Sequence, residues 1–259
     1  MTIEAFKISA GYEPDKLVVV DQTVKIKQGK INVIIGKNGC GKSTLLKTLC
    51  RQLEAASGVI KLNEIDIQDL STKALAKKIG ILFQENQCPR ELKVRDLVSY
   101  GRFAQIGLFS DLSDEDNEKV DNAMELAGVE EFAEKDVMSL SSGQRQLVWI
   151  AMLIAQEADF LFLDEPTTYL DLKNQFDILD CLKRLNKETG KTLTLILHDI
   201  SMAAQYADYL FAMKDGHVIK EGSAVEILTA EFLKELYEVN IEVIEREGSL
   251  RCLPLGRSS

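Results

Sequence analysis

The stretch from Gly36 to Thr44 constrains the fold of this chain more than any other part of the sequence. It fits a pattern of one glycine, four further residues and then Gly-Lys-Ser, and it reads Gly36-Lys37-Asn38-Gly39-Cys40-Gly41-Lys42-Ser43-Thr44. An apolar run typical of a buried parallel strand precedes it, and a helical pattern follows it. The glycines let backbone N–H groups turn toward phosphate oxygens, and the helix start adds a positive dipole. The alternative is a chance glycine turn, but the order strand, loop, helix favours a phosphate-binding loop.

Three side chains of this stretch have predicted roles. Lys42 can reach the outer phosphates of a nucleotide, and the Ser43 hydroxyl is a suitable Mg²⁺ ligand. Cys40 lies beside Lys42 at a helix start, and both features would favour a reactive thiolate. The alternative for Cys40 is a small residue that fills space.

Composition excludes several classes of protein. The net charge of −10 argues against a nucleic-acid surface, which needs clustered Lys and Arg. The sequence contains no apolar run of about 18 residues and no secretory leader pattern, so we expect neither a membrane span nor export. The five cysteines are odd in number and lack metal-binding spacing, which favours reduced thiols in a cytosolic protein.

Periodicity predicts one α/β domain over residues 1–259 with an inserted helical block. Strand patterns fall mainly before residue 84 and after residue 158. Residues 85–157 are mostly helical, with helices expected from Val94 to Arg102, from Ser113 to Ala127 and from about Ser142. We therefore predict a core at 1–84 and 158–259 and a helical subdomain at 85–157.

Two carboxylates, Asp164 and Glu165, end the apolar strand Phe160 to Leu163. In one sheet with a phosphate loop, Asp164 can hold the Mg²⁺ shell. Glu165 can then act as a general base on a water beside the γ-phosphate. The alternative for Glu165 is a solvated charge at the start of a loop.

Two further polar residues follow strands. His198 comes after the strand from Leu193 to Leu197, where an α/β sheet faces its ligand, so contact with the γ-phosphate is expected. Gln84 ends another strand, and its amide could ligate Mg²⁺ or position water. The only other histidine, His217, is interpreted as inert.

The segment Leu140-Ser141-Ser142-Gly143-Gln144 opens a helix in the inserted block. It is either a plain N-cap or a second anion site built from hydroxyl and N–H groups at a helix start. In the second case, its phosphate could belong to a partner molecule.

These motifs together make nearly the whole chain resemble the ATPase subunit of an ATP-binding cassette (ABC) transporter. The fold implied is a phosphate-loop NTPase core with a mixed sheet, an antiparallel β edge and an inserted helical subdomain. The resemblance also implies ATP and Mg²⁺ as cofactors, Tyr12 as an adenine-stacking residue, and residues 141–144 as the family signature, in which Ser142 replaces a usual glycine.

The same resemblance implies partners. Two copies would close face to face, with each nucleotide between one copy's phosphate loop and the other's signature, and Asp171 would contact the opposite subunit. The helical subdomain would bind membrane permease subunits at the cytoplasmic face of the membrane. A substrate-binding protein would be an indirect partner.

A narrower resemblance concerns the cargo. Residues 164–171, Tyr100-Gly101-Arg102 and Leu197-His198-Asp199 resemble importers of iron–siderophores, haem and cobalamin. Among these cargoes, the resemblance implies ferric siderophores as the first choice, ahead of haem and cobalamin. The alternatives are a soluble ABC ATPase with an assembly role and, less compatible with the signature and Glu165, a phosphate-loop kinase or a nucleotide-gated binding module.

Overall fold

The computed structural model describes residues 1–13, 15–84, 86–106, 111–246 and 249–256 of the chain. These residues form two compact units, one comprising residues 1–69 with 192–259 and the other residues 70–191. The predicted division into a core and a subdomain at 85–157 stays a prediction.

The described residues contain twelve strands. In chain order they are β1 (Ile3–Ala10), β2 (Val19–Lys25), β3 (Ile31–Gly36), β4 (Ser57–Leu62), β5 (Ile65–Asp66), β6 (Ile79–Leu82), β7 (Phe160–Leu163), β8 (Thr192–Ile196), β9 (Tyr209–Lys214), β10 (His217–Gly222), β11 (Asn240–Arg246) and β12 (Ser249–Gly256).

Nine α-helices accompany them in the described residues. They are α1 (Lys42–Leu49), α2 (Thr72–Ala76), α3 (Val94–Ser99), α4 (Asp114–Ala127), α5 (Ser142–Ala155), α6 (Leu172–Thr189), α7 (Ile200–Tyr206), α8 (Ala224–Ile227) and α9 (Ala230–Tyr237). Short 3₁₀ turns cover Tyr100–Ala104, Glu130–Phe132 and Val137–Ser139.

Strand β3 lies inside the mixed sheet of the first unit. It pairs in parallel with β8 on one side and β9 on the other, and β10 pairs antiparallel with β9. All six residues of β3 are buried, as its unbroken apolar pattern predicts for a strand covered on both faces. The predicted mixed sheet is confirmed.

The first unit also contains an antiparallel sheet in the order β2-β1-β4-β5. The predicted antiparallel β edge is therefore confirmed, and β2 runs from Val19 to Lys25. The pairing of β1 with β2 shifts in register after Ala5 and again after Ile8.

The last elements of the first unit are α8, α9 and the hairpin β11–β12. Helix α9 follows the Thr229 N-cap, and it is preceded by the short helix α8, which the sequence analysis did not predict. Its sequence signal was present, since Ser223 and Glu226 form a capping box. Strands β11 and β12 form the C-terminal hairpin, and residues 247–248 between them lie outside the described residues.

The second unit combines the parallel pair β6–β7 with helices α2 to α6. Helix α4 begins after a Ser113 capping box and ends at Gly128 in the left-handed conformation, as predicted. The helix expected from Val94 to Arg102 instead ends at Ser99 and continues as a 3₁₀ turn.

Tight packing around Gly101 and Arg102 accounts for this change of helix type. A Cβ on Gly101 would lie 2.2 Å from the Met152 carbonyl oxygen. The buried Arg102 guanidinium donates to Asp116 at 2.9 Å and to the Ala155 carbonyl at 2.7 Å. Burial of an arginine is tolerated only with such partners, so this segment follows its tertiary contacts rather than helix periodicity.

Among the described residues, no helix is both long and apolar enough to cross a membrane.

Asn32 is the polar exception within β3, and it supports a testable prediction. Its buried side chain donates to the carbonyls of Lys27, Lys30 and Leu193 at 3.0–3.1 Å and accepts from the Lys27 N–H at 2.9 Å. Asn32→Ala leaves these buried groups without partners, and it should lower the free energy of unfolding by about 2–3 kcal/mol. Urea denaturation measures the change.

Asn122→Ala is the matched control, because Asn122 is an exposed residue of α4. We expect it to change stability by less than about 0.5 kcal/mol. Equal unfolding midpoints for the two variants would contradict the role of Asn32.

Candidate nucleotide site

The loop after β3 has a backbone that only glycine readily adopts. Gly36, Gly39 and Gly41 have φ angles of 149°, 77° and 101°. At Gly36 a Cβ would lie 2.3 Å from the Met213 carbonyl oxygen and 2.8 Å from the Cys40 Sγ, so a side chain is excluded twice over. The pattern of glycines seen in the sequence therefore corresponds to a real constraint on the backbone.

Lys42 begins α1 and folds back over the loop. Its side chain is buried, and its Nζ donates to the carbonyls of Gly36 at 2.9 Å and Lys37 at 3.0 Å. The cap residue Gly41 has no side chain to cover the first N–H groups of the helix, where Ser43 and Thr44 lie. A buried ammonium group beside a helix start is the arrangement expected of an anion-binding loop.

The thiol of Cys40 is 7% exposed. Burial raises the pKa of this thiol, and this effect outweighs the lowering by the Lys42 charge and by nearby backbone N–H groups. This geometry disfavours a thiolate at Cys40, because desolvation disfavours the charged form, and the reactivity of the thiol stays a prediction. The structure supports the alternative, a small residue packed against Gly36.

Two residues that the sequence analysis missed hold the loop from the end of α9. The Lys37 ammonium forms an ion pair with Glu238 at 2.6 Å. The Tyr237 hydroxyl lies within hydrogen-bonding reach of the Gly36 backbone N–H, while burial raises the pKa of Tyr237. No local pattern could have revealed these contacts, because about 200 residues separate the partners.

His198 and Tyr12 are exposed residues of the same unit. The register of β3 and β8 pairs Ile34 with Ile196, so His198 follows at the edge of the sheet where Gly36 ends β3. The sheet thus places His198 at the phosphate-loop edge, as predicted. The Tyr12 ring is 61% exposed, and the Lys47 Nζ lies 5.9 Å from its centroid.

In the second unit, Gln84 and Glu165 are hydrogen-bonded to each other. Gln84 Nε2 donates to Glu165 Oε2 at 2.9 Å, because β6 and β7 run in parallel and pair Leu82 with Leu163 just before them. Asp164 is buried, and its N–H donates to the Leu82 carbonyl at 2.9 Å. Two strand ends predicted separately from the sequence therefore meet at one edge.

Thr168 is a further residue at this edge that the sequence analysis did not assign. Its hydroxyl donates to Glu165 Oε2 at 3.1 Å, and its N–H donates to the Glu165 carbonyl at 3.2 Å. Glu165 itself has a φ of 53°, an uncommon value for a residue with a side chain. Such strain persists only where neighbours fix it, and it is frequent at functional sites.

The signature segment begins α5 as predicted. Ser141 is the N-cap, its Oγ accepts from the Gln144 N–H, and Gln144 Oε1 accepts from the Ser141 N–H. Ser142 is exposed, whereas a Cβ on Gly143 would lie 2.3 Å from the Asn174 side chain. The capping interpretation is confirmed, and a second anion site remains a prediction.

Asp171 caps α6, which runs from Leu172 to Thr189 and ends at Gly190. Its Oδ1 accepts from the Asn174 N–H at 2.9 Å and its Oδ2 from Asn174 Nδ2 at 2.8 Å. The carboxylate therefore has a structural role in the single chain, and its contact with another subunit stays a prediction.

The chain is similar to known proteins of one family. Residues 19–168 match the family model described as ABC transporter. The chain is 46% identical to the iron(3+)-hydroxamate import ATP-binding protein FhuC of Bacillus subtilis (strain 168), over 92% of this chain and 88% of that protein. It is 41% identical to the ferric enterobactin transport ATP-binding protein FepC of Escherichia coli (strain K12), over 93% and 90%.

A similar solved structure is that of a dimeric bacterial ABC transporter cassette. It is 28% identical, with a TM-score of 0.74 over 86% of this chain and 98% of that one. The predicted α/β phosphate-loop NTPase fold is thereby confirmed. The family match, the identities and the fold agree, and the chain belongs to the ABC transporter family as an ATP-binding, ATP-hydrolysing subunit.

Proposed function

We propose that this chain powers an importer of ferric siderophores. The observation that carries the proposal is the identity of 46% and 41% to proteins named for import of iron(3+)-hydroxamate and ferric enterobactin. Haem and cobalamin are the less favoured cargoes. In the segment Tyr100-Gly101-Arg102, which suggested this subtype, Gly101 and Arg102 are buried in the second unit, where they shape the helices that would meet a permease, whereas Tyr100 is 42% exposed.

The first unit would bind the nucleotide. Backbone N–H groups from Gly36 to Thr44 surround the phosphates, and Lys42 exchanges its two carbonyl partners for phosphate oxygens. Tyr12 offers an exposed ring on which adenine can stack. His198, at the same edge of the sheet, would contact the γ-phosphate.

The oxygen-bearing side chains of Ser43, Gln84 and Asp164 have the donor chemistry that Mg²⁺ prefers. Mg²⁺ bound with ATP would neutralise charge on the phosphates. These three residues are its proposed ligands, with the hydroxyl and carboxylate as the harder donors.

Glu165 would be the general base for hydrolysis. Donors from Gln84 and Thr168 on Oε2 fix the orientation of the carboxylate, so that it can accept a proton from the attacking water. Gln84 then acts as a positioning residue as well as a metal ligand, and its release from Glu165 would accompany any motion of the segment after β6.

A second copy would complete the site. Ser141, Ser142, Gly143 and Gln144 of one copy would meet the phosphates bound to the other, and Asp171 would lie near the same interface. The exposed N-terminus of α5, at Ser141 and Ser142, supports this role. ATP then favours the closed pair, and hydrolysis releases it.

The remaining partners follow from the transporter class. Residues 85–157 would bind integral membrane permease subunits, so the chain would lie at the cytoplasmic face of the cell membrane. A substrate-binding protein would act indirectly through the permease.

Lys42→Ala tests the phosphate loop. Loss of the buried ammonium group should weaken ATP binding at least about tenfold, since a charge-assisted hydrogen bond contributes about 1.5–3 kcal/mol. Isothermal titration with ATP measures the change. Lys187→Ala, an exposed lysine of α6, is the control and should bind like the parent protein. Unchanged affinity of the Lys42 variant would remove this residue from the site.

Glu165→Gln tests the general base. The amide keeps the shape but not the basicity, so ATP should still bind while hydrolysis slows by roughly 10²–10⁴-fold. The variant should also elute as a dimer with ATP, because hydrolysis no longer opens the pair. Glu188→Gln, an exposed position of α6, is the control. Phosphate release at the parental rate would refute the assignment.

Deletion of the gene tests the cargo. Uptake of labelled ferric siderophore should be lost, growth on abundant simple iron salts should be kept, and the parental gene but not its Lys42→Ala form should restore uptake. Loss of haem or vitamin B12 uptake instead would contradict the siderophore assignment alone. Normal uptake of all three, with no membrane partner copurifying, would favour the soluble assembly alternative.

A further inference from the structure

Two consecutive residues at the end of α9 contact two consecutive residues of the phosphate loop. The Tyr237 hydroxyl lies within hydrogen-bonding reach of the Gly36 backbone N–H. The next residue, Glu238, forms an ion pair with the Lys37 ammonium group at 2.6 Å. We call these two contacts the α9 clamp. The clamp joins the C-terminal part of the chain to the first residues of the loop.

The clamp holds the same two loop residues that hold Lys42. Lys42 Nζ donates to the carbonyls of Gly36 at 2.9 Å and Lys37 at 3.0 Å. In the proposed function, Lys42 exchanges these carbonyls for phosphate oxygens. The clamp uses the Gly36 N–H and the Lys37 side chain instead, and neither of these groups holds Lys42. The clamp can therefore persist when Lys42 leaves.

The backbone at Glu238 favours a residue other than glutamate. Glu238 follows the last residue of α9 with a φ of 58°, in the left-handed region. Glycine is the common residue at this position after a helix, because a Cβ is strained there. The chain has a carboxylate at this position, and that carboxylate reaches the loop at Lys37. Such strain is maintained where neighbouring contacts fix it, often at functional sites.

The end of α9 is firmly attached to the first unit. Leu233 and Leu236 of this helix are buried. The Lys214 ammonium group donates to the Glu235 carbonyl at 3.3 Å. Lys214 directly follows Met213, whose carbonyl oxygen excludes a side chain from the first glycine of the loop. The helix end and the loop are thus attached to the same strand, β9.

The hairpin β11–β12 anchors α9 from the other side. It has one covered face, where Ile241 and Cys252 are 5% and 3% exposed, and one exposed face that includes Leu253. Strand β12 packs on α7, and the Cys252 carbonyl accepts a hydrogen bond from Ser201 Oγ at 2.9 Å. Tyr237 and Glu238 therefore lie between two packed elements, which limits how far they can move from the loop.

We propose that Tyr237 and Glu238 are positioning residues for nucleotide binding, which keep Gly36 and Lys37 in place when Lys42 turns to the phosphates. This inference rests on the proposed function, in which the loop and Lys42 bind ATP. A loop that is already ordered before ATP arrives loses less entropy on binding. Loss of the clamp should therefore weaken ATP binding. It should not slow the hydrolysis of bound ATP, because the proposed base belongs to the second unit.

Tyr237→Phe tests the first contact. The ring is kept and the hydroxyl is lost, so the Kd for ATP should rise about threefold to tenfold. Isothermal titration measures the Kd together with the fraction of protein that binds, and steady-state hydrolysis should show a higher KM with an unchanged kcat. Partial unfolding would instead lower the binding fraction and kcat.

Tyr209→Phe is the matched control. It removes a hydroxyl that donates to Glu221 Oε1 at 3.2 Å. Tyr209 begins β9, whereas the loop lies against Met213 near the other end of that strand. The control should therefore bind ATP like the parent protein.

Glu238→Gly tests the second contact and separates it from stability. Glycine suits the backbone at this position, so the urea midpoint of unfolding should stay the same or rise. The Kd for ATP should nevertheless rise about twofold to fivefold, as expected for loss of an exposed ion pair. Glu64→Gly is the matched control, because Glu64 is also exposed and has a φ of 69° in a turn between β4 and β5.

The double variant, Tyr237→Phe with Glu238→Gly, gives the decisive result. Its Kd for ATP should be at least about tenfold higher than that of the parent, because both contacts of the clamp are lost. An unchanged Kd, or an equal loss in the two control variants, would overturn the proposal. Tighter binding by Glu238→Gly would also overturn it, since Glu238 would then compete with phosphate for Lys37.

The Lys42→Ala variant separates this proposal from the proposed function. Weaker binding by Lys42→Ala with parental binding by the clamp variants overturns the clamp and leaves the phosphate loop as the nucleotide site. Parental binding by Lys42→Ala overturns both the proposed role of the loop lysine and the clamp.

Discussion

The close approach of Gly36 to the Met213 carbonyl is the constraint on which the nucleotide-binding unit depends. With 2.3 Å between that oxygen and the position of a Cβ, β3 can continue into the loop only as glycine. The turn that follows brings Lys42 back over the loop, where two carbonyls hold its ammonium group. A buried cation is stable here because it has these partners, and it is ready to exchange them for phosphate oxygens.

The rest of the first unit holds this loop in place. Asn32 links β3 to the Lys27 segment and to β8 through buried hydrogen bonds, so the strand that carries the loop has a fixed register. From the C-terminal side, Glu238 pairs with Lys37. The exposed ion pair adds little stability by itself, yet it connects the loop to α9 and thereby to the hairpin beyond it.

In the second unit, neighbouring residues hold a carboxylate in place, as the loop carbonyls hold Lys42 in the first unit. Glu165 has an uncommon backbone conformation, and side-chain donors from Gln84 and Thr168 hold its Oε2. A base whose orientation is fixed before substrate arrives loses less entropy in the reaction. Gln84 contributes to this arrangement and also follows the end of β6. Motion of the chain after β6 would therefore change the hydrogen bond between Gln84 and Glu165.

The sequence by itself determined the fold class, the phosphate loop, the capped helices α4 and α5 and the two strand ends at Gln84 and Glu165. These features follow from local chemistry, because glycine conformation, caps and periodicity act over a few residues. Only the tertiary structure decided that Cys40 is a buried filler whose thiol pKa is raised. The Lys42 charge and nearby backbone N–H groups lower this pKa and burial raises it, and a sequence motif does not show how deeply the residue is buried. The tertiary structure also decided the contact of Lys37 with Glu238 and the exposed face of the hairpin. These features join segments far apart in the chain or depend on which face of a strand is covered, and no local pattern specifies either.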